Sequence, residues 1–289
     1  MNRNQFLRKG LLGTGALVAA GSTQAFMSNN IDELRPLDIL GFNHIPSNFN
    51  QMENSVLHKA ATRGHANHGW LDSHHTFSFA HYYDPERMHF GALRVLNDDI
   101  VKGGMGFGKH PHDNMEIISI PLEGALEHRD SMGNVAVIKK GDIQVMSAGT
   151  GIFHSEYNQN KEQEVRFLQI WVFPKERNVK PRYDQITLKA EDRLNQLQQI
   201  LSPNPDDAGV WIHQDAWFHL GTFEPGKGFD YRINKKGNGV YAFILSGSGT
   251  IQGQKIETRD GFGIWETEKL SFEASEKTDV LLMEVPMTL

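Results

Sequence analysis

Cysteine is absent from all 289 residues. Its absence excludes a disulfide framework, a zinc–thiolate site, an iron–sulfur cluster and a thiol nucleophile. Any metal must then be held by histidine and carboxylate. Basic residues are also in deficit: 29 Lys and Arg face 35 Asp and Glu, giving a net charge of −6 and an isoelectric point near 6.2. Nucleic-acid binders usually carry a basic stripe and an isoelectric point above about 9, so nucleic acid is not an expected partner. No apolar run approaches the roughly 20 residues that cross a bilayer, and no stable membrane span is expected. From about residue 42 to 174 the helical apolar period is missing as well, which argues against a helical bundle. What is present is the composition of an ordinary folded protein, 39% hydrophobic and 22% charged, with one unusual abundance: 14 histidines.

Residues 1–25 hold Arg3, Arg8 and Lys9 and no acid, so the rest of the chain is more acidic than the whole. A short apolar run follows Lys9 and ends near the small residues Thr23 and Ala25, the order of an export signal. The start resembles a twin-arginine signal in which Asn4 stands where the second arginine would be. A periplasmic or otherwise exported protein beginning near residue 26 is expected, with an unprocessed cytoplasmic chain as the alternative.

The body reads as β-structure. Short apolar segments over 90–96, 115–120, 125–128, 135–138 and 143–146 are separated by Gly, Asn and Asp turns, the pattern of a sandwich or barrel. A polar, helix-compatible stretch over 192–201 and a Pro/Asp-rich run to 207 follow. The apolar strand, glycine turn and Gly/Asp turn of the first half then recur: Gly124 and Gly141-Asp142 match Gly247 and Asp260-Gly261. A chain of this length suggests two units, and the recurrence makes them a repeat. The expected organisation is all-β, two tandem barrels with short helices: a metal-bearing unit over 36–175, a linker over 176–207, and a second unit over 208–289.

Two triplets carry chemistry. His110-Pro111-His112 precedes one strand, and His154-Ser155-Glu156 follows another after the Gly149-Thr150-Gly151 turn. In extended chain, residues i and i+2 point to one face, so each triplet offers two donors in one direction. His154 follows His112 by 42 positions, enough for two hairpins to return the second triplet beside the first. A lone HxH is more often a packed or solvated pair, whereas HxH with HxE on strands bounded by glycine turns points to one pocket of three histidines and a carboxylate. Four donors leave a six-coordinate ion two open positions, which suits catalysis or ligand binding. The expected cofactor is one divalent ion, Fe(II) on grounds of availability; Ni, Mn, Co, Cu and Zn suit the same donors. His74 and His75 read as packed or solvated, or as a pocket rim; His128, His213 and His219 read as structural. The second unit has no HxH over 229–236 and no HxE after Trp265, and is expected to lack metal ligands.

These segments resemble the pirin family of the cupin superfamily. The likeness runs through Leu71-Asp72-Ser73-His74-His75, Gly106-Phe107-Gly108-Lys109-His110-Pro111-His112-Asp113-Asn114, His128-Arg129-Asp130-Ser131-Met132-Gly133-Asn134, Gly149-Thr150-Gly151-Ile152-Phe153-His154-Ser155-Glu156 and Gln169-Ile170-Trp171-Val172. It covers about residues 40–289 and is weaker in the last third. The resemblance implies a bicupin of two double-stranded β-helix barrels, with one metal held in the first by His110, His112, His154 and Glu156. Bacterial pirins of this type resemble quercetin 2,3-dioxygenases, which implies a small flavonol-like aromatic substrate, O2 as co-substrate and Glu156 as the catalytic base. Animal pirins resemble iron-dependent transcriptional cofactors, which implies the alternative of a non-catalytic, redox-sensing or protein-interacting iron protein.

Overall fold

The computed structural model describes residues 54–289; the export signal expected over 1–25 lies outside them. Strand formation follows the alternation of the sequence. Along 152–158 every odd step out from Ile152 is exposed or half-buried and every even step is buried, the mark of a sheet with one face inward.

The first barrel uses strands β2 (Gly64–Asn67), β3 (Leu71–His75), β4 (Leu93–Val101), β5 (Gly106–His112), β6 (Glu116–Glu123), β7 (Ala125–Asp130), β8 (Val135–Lys139), β9 (Asp142–Ser147), β10 (Ile152–Asn158), β11 (Val165–Val172) and β12 (Arg182–Thr187), preceded by β1 (Ser55–His58). Its large sheet has the order β12-β9-β6-β11-β4-β3-β2, and its small sheet β5-β10-β7-β8. The second half contributes β13 (Leu197–Ser202), β14 (Val210–Trp211), β15 (Trp217–Phe223), β16 (Gly228–Arg232), β17 (Asn238–Ser246), β18 (Ser248–Ile251), β19 (Gln254–Glu257), β20 (Gly261–Ile264), β21 (Lys269–Ala274) and β22 (Thr278–Pro286). Here the orders are β1-β20-β17-β22-β15-β13-β14 and β16-β21-β18-β19. The run β9-β6-β11-β4 has its counterpart in β20-β17-β22-β15, so the two halves share one topology. The repeat reaches single residues: Gly124 (φ +76°) turns β6 into β7, and Gly247 (φ +84°) turns β17 into β18.

Two expectations about organisation are corrected. The range 176–207 is not a linker with a helix: β12 pairs with β9 in the first sheet and β13 pairs with β15 in the second, with a single 3-10 turn over Ala190–Arg193 between them. Backbone groups of an open sheet edge are unpaired until another strand takes them, and that demand overrides the weak helical propensity of a polar stretch. The first barrel's leading strand also belongs to the second, because β1 pairs antiparallel with β20 of the second sheet. The helices among the described residues are three 3-10 turns, and no helix is long and apolar enough to cross a membrane.

The largest apolar cluster joins both halves, with Leu96, Ile118, Leu168 and Ile170 from the first large sheet and Phe218, Tyr241, Phe243, Leu281 and Met283 from the second. The second barrel is filled by its own apolar core, including Tyr231, Leu270 and Phe272. Inside the first barrel the apolar groups fall into two smaller clusters, one around Phe107, Leu126 and Phe167 and one around Ile117, Met146 and Ile152. Between them a polar row crosses the inner face of the sheet: His75, Asn97, Gln169, Ser119 and Gln144 are consecutive register partners on β3, β4, β11, β6 and β9. That row sets the level of the site.

Candidate metal centre

On β5 and β10 the alternation turns His110, His112, His154 and Glu156 inward, each no more than 9% exposed, and sends Pro111, Phe153 and Tyr157 out. The register brings His154 opposite His110. The three imidazoles form a near-equilateral triangle, with ring centroids 4.4, 4.9 and 4.9 Å apart. Their nearest ligand nitrogens all lie within 4.8 Å of one another. Donors about 2.1 Å from one ion are about 3–3.5 Å apart, so small side-chain rotations suffice to close the set.

A β-bulge tunes this geometry. His154 pairs with His110, but Glu156 pairs with Phe107, so Gly108 and Lys109 together oppose Ser155. A bulge re-aims side chains and is common beside functional sites. Here it presents the Gly108 carbonyl to its own strand, where it accepts a 2.7 Å hydrogen bond from His110 Nδ1. That bond fixes the tautomer and leaves Nε2 of His110 as the lone-pair donor. His112 is held by Trp171, whose ring meets it edge-on at 4.9 Å.

Glu156 belongs to a second group that shares His154 and adds His128. Its Oε1 accepts from Ser119 Oγ at 3.1 Å and from Gln169 Nε2 at 3.4 Å, and Gln169 Oε1 accepts from Trp171 Nε1 at 3.3 Å. Trp171 thus links the carboxylate to His112. The four residues expected as one ligand set therefore form two overlapping groups hinged on His154.

His128, expected to be structural, is fully buried on β7 directly opposite Glu156. Its Nε2 meets Asp130 at 3.3 Å, while its Nδ1 is buried with no hydrogen-bond partner among the described residues. The ring of Tyr183 covers it at 4.9 Å. Burial first, and then the nearby carboxylates of Asp130 and Glu156, hold the Tyr183 hydroxyl in its protonated form. A signal for His128 was present, because His128-Arg129-Asp130 has the same i, i+2 spacing as the two triplets; only the register beside Glu156 gives it meaning.

The remaining histidines separate. His65, Asp72 and His74 make a surface group on β2 and β3, with His65 Nε2 at 2.9 Å from Asp72. His75 is buried. His213 packs on Trp211 and His219 on Tyr231. In the second barrel the register pairs that correspond to the ligand strands are Tyr231 with Leu270 and Phe229 with Phe272.

The donor set fits a first-row divalent ion: three buried imidazoles, one with its tautomer fixed, beside a buried carboxylate whose orientation is set by Ser119 and Gln169. Comparison with known proteins agrees. Residues 56–172 match the family model described as Pirin, and residues 199–285 match that described as quercetinase C-terminal cupin domain. A protein named quercetin 2,3-dioxygenase from Escherichia coli K12 is 45% identical over 230 residues, 80% of this chain and 98% of its own length. A pirin-like protein from Caulobacter vibrioides is 39% identical over 222 residues, 76% of this chain and 95% of its own. The crystal structure of the bacterial pirin YhhW from Escherichia coli in complex with nickel(II) superposes with a TM-score of 0.76 at 44% identity, covering 80% of this chain and 99% of that one. Two barrels of one topology, a histidine triangle in the first alone of the two ligand-strand pairs, and these relatives place the chain in the pirin family, as a metal-dependent bicupin.

Proposed function

We propose that this protein is an oxidoreductase of the quercetin 2,3-dioxygenase type, opening flavonol-like substrates with O2. The observation that carries the proposal is the buried triangle of His110, His112 and His154 with the Glu156 carboxylate hinged onto it through His154. These four residues would hold one divalent ion, Fe(II) on grounds of availability, with Ni(II) suited to the same donors. When bound, such an ion supplies a Lewis-acidic, redox-active centre.

The chain's own residues do the rest. Glu156 accepts the proton of the substrate's enolic hydroxyl, because a carboxylate at hydrogen-bond reach of the reacting group serves as general base. Ser119 and Gln169 hold it in place for that transfer. Phe79, packed edge-on against Trp171 at 5.5 Å, and Trp171 against His112, give the centre an aromatic wall that excludes water and receives a flat substrate. The relative named quercetin 2,3-dioxygenase supports the substrate class.

Protein loaded with Fe(II) or Ni(II) and mixed with a flavonol in air should lose the substrate's long-wavelength absorption and take up oxygen together. Fully loaded protein that does neither would overturn the catalytic proposal in favour of a binding role for the same ion. The proposal includes export. Intact mass of protein from its native host should show a chain starting near residue 26, and a full-length species would refute processing.

A further inference from the structure

The outermost strands of the first large sheet, β3 and the edge strand β2, form a hairpin. Alternation buries Gly64, Ser73 and His75 and turns His65, Asn67, Asp72 and His74 to the outer face. Register sets His65 directly opposite His74 and Asn67 directly opposite Asp72. This quartet lies on the face of β3 opposite to His75, and the buried metal centre uses none of it.

Three of its members are spaced as ligands. His65 Nε2 stands 2.9 Å and His74 Nδ1 3.6 Å from Asp72 Oδ1, and the three donor atoms all lie within 4.8 Å of one another. Donors bound to one ion at about 2.1 Å are about 3–3.5 Å apart, so small side-chain rotations close the set. A surface hydrogen bond accounts for His65 with Asp72 but leaves His74 beyond hydrogen-bond distance of that carboxylate; an ion engages all three. The two imidazole rings stack with centroids 4.5 Å apart, 20° from parallel. Two charged rings directly opposite would repel, so the pair favours neutral imidazole, the form that ligates metals. The carboxylate is also preset. Gly69 N–H donates to Asn67 Oδ1 at 2.8 Å, which orients the amide so that Asn67 Nδ2 donates to Asp72 Oδ2 at 2.9 Å. One oxygen is thereby held from behind while the other faces both imidazoles, the arrangement of a supported ligand carboxylate.

Donor type decides the ion. Calcium takes about six to eight oxygen ligands, and this group has a single carboxylate. The Arg63 guanidinium is near enough to help burial lower the His74 pKa, so attraction by charge alone is weak here, and bonds to imidazole nitrogen must supply the affinity. Two imidazoles and a carboxylate suit zinc. We propose that His65, Asp72 and His74 form a second, surface metal site for a divalent ion of the zinc type, with a fourth coordination position open to solvent. The three side chains are 33–51% exposed, so the ion exchanges freely, unlike one in the buried centre. The site stands apart from the dioxygenase reading, because none of its residues takes part in that chemistry.

The test counts zinc and does not depend on turnover. Full-length protein dialysed to equilibrium against zinc should hold one more ion per chain than the double variant His65→Ala/His74→Ala dialysed beside it. Equal zinc content in the two overturns the proposal. Should the double variant not fold, His65→Ala alone carries the test, since that side chain is 51% exposed on an edge strand and its removal leaves the core untouched. The same difference of one zinc should appear in a His110→Ala background, where the buried centre has lost a ligand. A difference seen only with the buried centre intact would show the surface histidines acting through it, and would also overturn the site. Excess calcium should leave the surface zinc in place, and its displacement would refute the assignment to a zinc-type ion.

Discussion

Glu156 is the residue at which a dioxygenase and a redox-sensing binder differ most, because only the enzyme needs a proton acceptor beside the ion. Glu156→Gln keeps a coordinating oxygen and the contacts to Ser119 and Gln169. It should retain part of the metal affinity and lose turnover by roughly 10²–10⁴-fold, the usual worth of a general base. Occupancy and activity measured on one sample decide it, and turnover that survives at full loading would leave Glu156 as a ligand only. His128 shares a donor group with His154 and Glu156. Its ring faces both His154 and Glu156, so His128→Asn should weaken metal retention by roughly 10–100-fold, as loss of an outer-shell partner does. Competition with a chelator reads the change, and an unaltered affinity would return His128 to a packing role.

At the scale of elements, strands present the site and glycines allow the strands to turn. Gly124 and Gly247 hold the same place in the two barrels, and both have positive φ. Their surroundings differ: a Cβ on Gly124 would sit 3.2 Å from the Glu164 carbonyl oxygen, whereas one on Gly247 would sit 2.4 Å from that of Lys277. Alanine at either position pays about 1–3 kcal/mol for a left-handed backbone. Gly247→Ala adds a backbone clash, so it should lower the urea midpoint more than Gly124→Ala, and equal losses would show that the turn relaxes. The alternation of β5 and β10 and these glycine turns were legible in the sequence. The strands β12 and β13 were not, since nothing local marks Arg182–Thr187 as an edge strand or Leu197–Ser202 as the strand between β15 and β14; the sheets that receive them are assembled from distant segments.

For the whole molecule, the shared apolar cluster and the crossing of β1 into the second sheet tie the barrels together. Unfolding should therefore follow one transition when read by tryptophan fluorescence and by circular dichroism, and two separated midpoints would show independent barrels. Stability should also fall on the acid side. His58, buried against Tyr241 with its Nδ1 at 2.9 Å from the hydroxyl, has its pKa lowered to about 4 by burial and by Arg87. The unfolded chain binds that proton near the ordinary value, so the contribution is complete above about 6.5 and is lost as pH falls towards 4, at up to about 1.4 kcal/mol per pH unit. Buried Glu116 works in the opposite sense, its pKa raised to about 7, so its contribution declines as pH rises through that range. His58→Gln removes only the first effect. Its stability relative to the parent should improve between about pH 7 and pH 5, and a constant difference would show that His58 titrates normally.

By itself the sequence determined that the protein is all-β and repeated, that metal must be held by histidine and carboxylate, and that His110, His112, His154 and Glu156 face one way. Each of these follows from composition or from the two-residue period of a strand, which are local properties. Only the tertiary structure decided which strands lie side by side. Register set His128 opposite Glu156, aligned His75, Asn97, Gln169, Ser119 and Gln144 into one polar row, and carried β1 into the other barrel. A strand's pattern states which face is buried but not what it is buried against, because the partner is chosen by backbone pairing and packing across the whole chain.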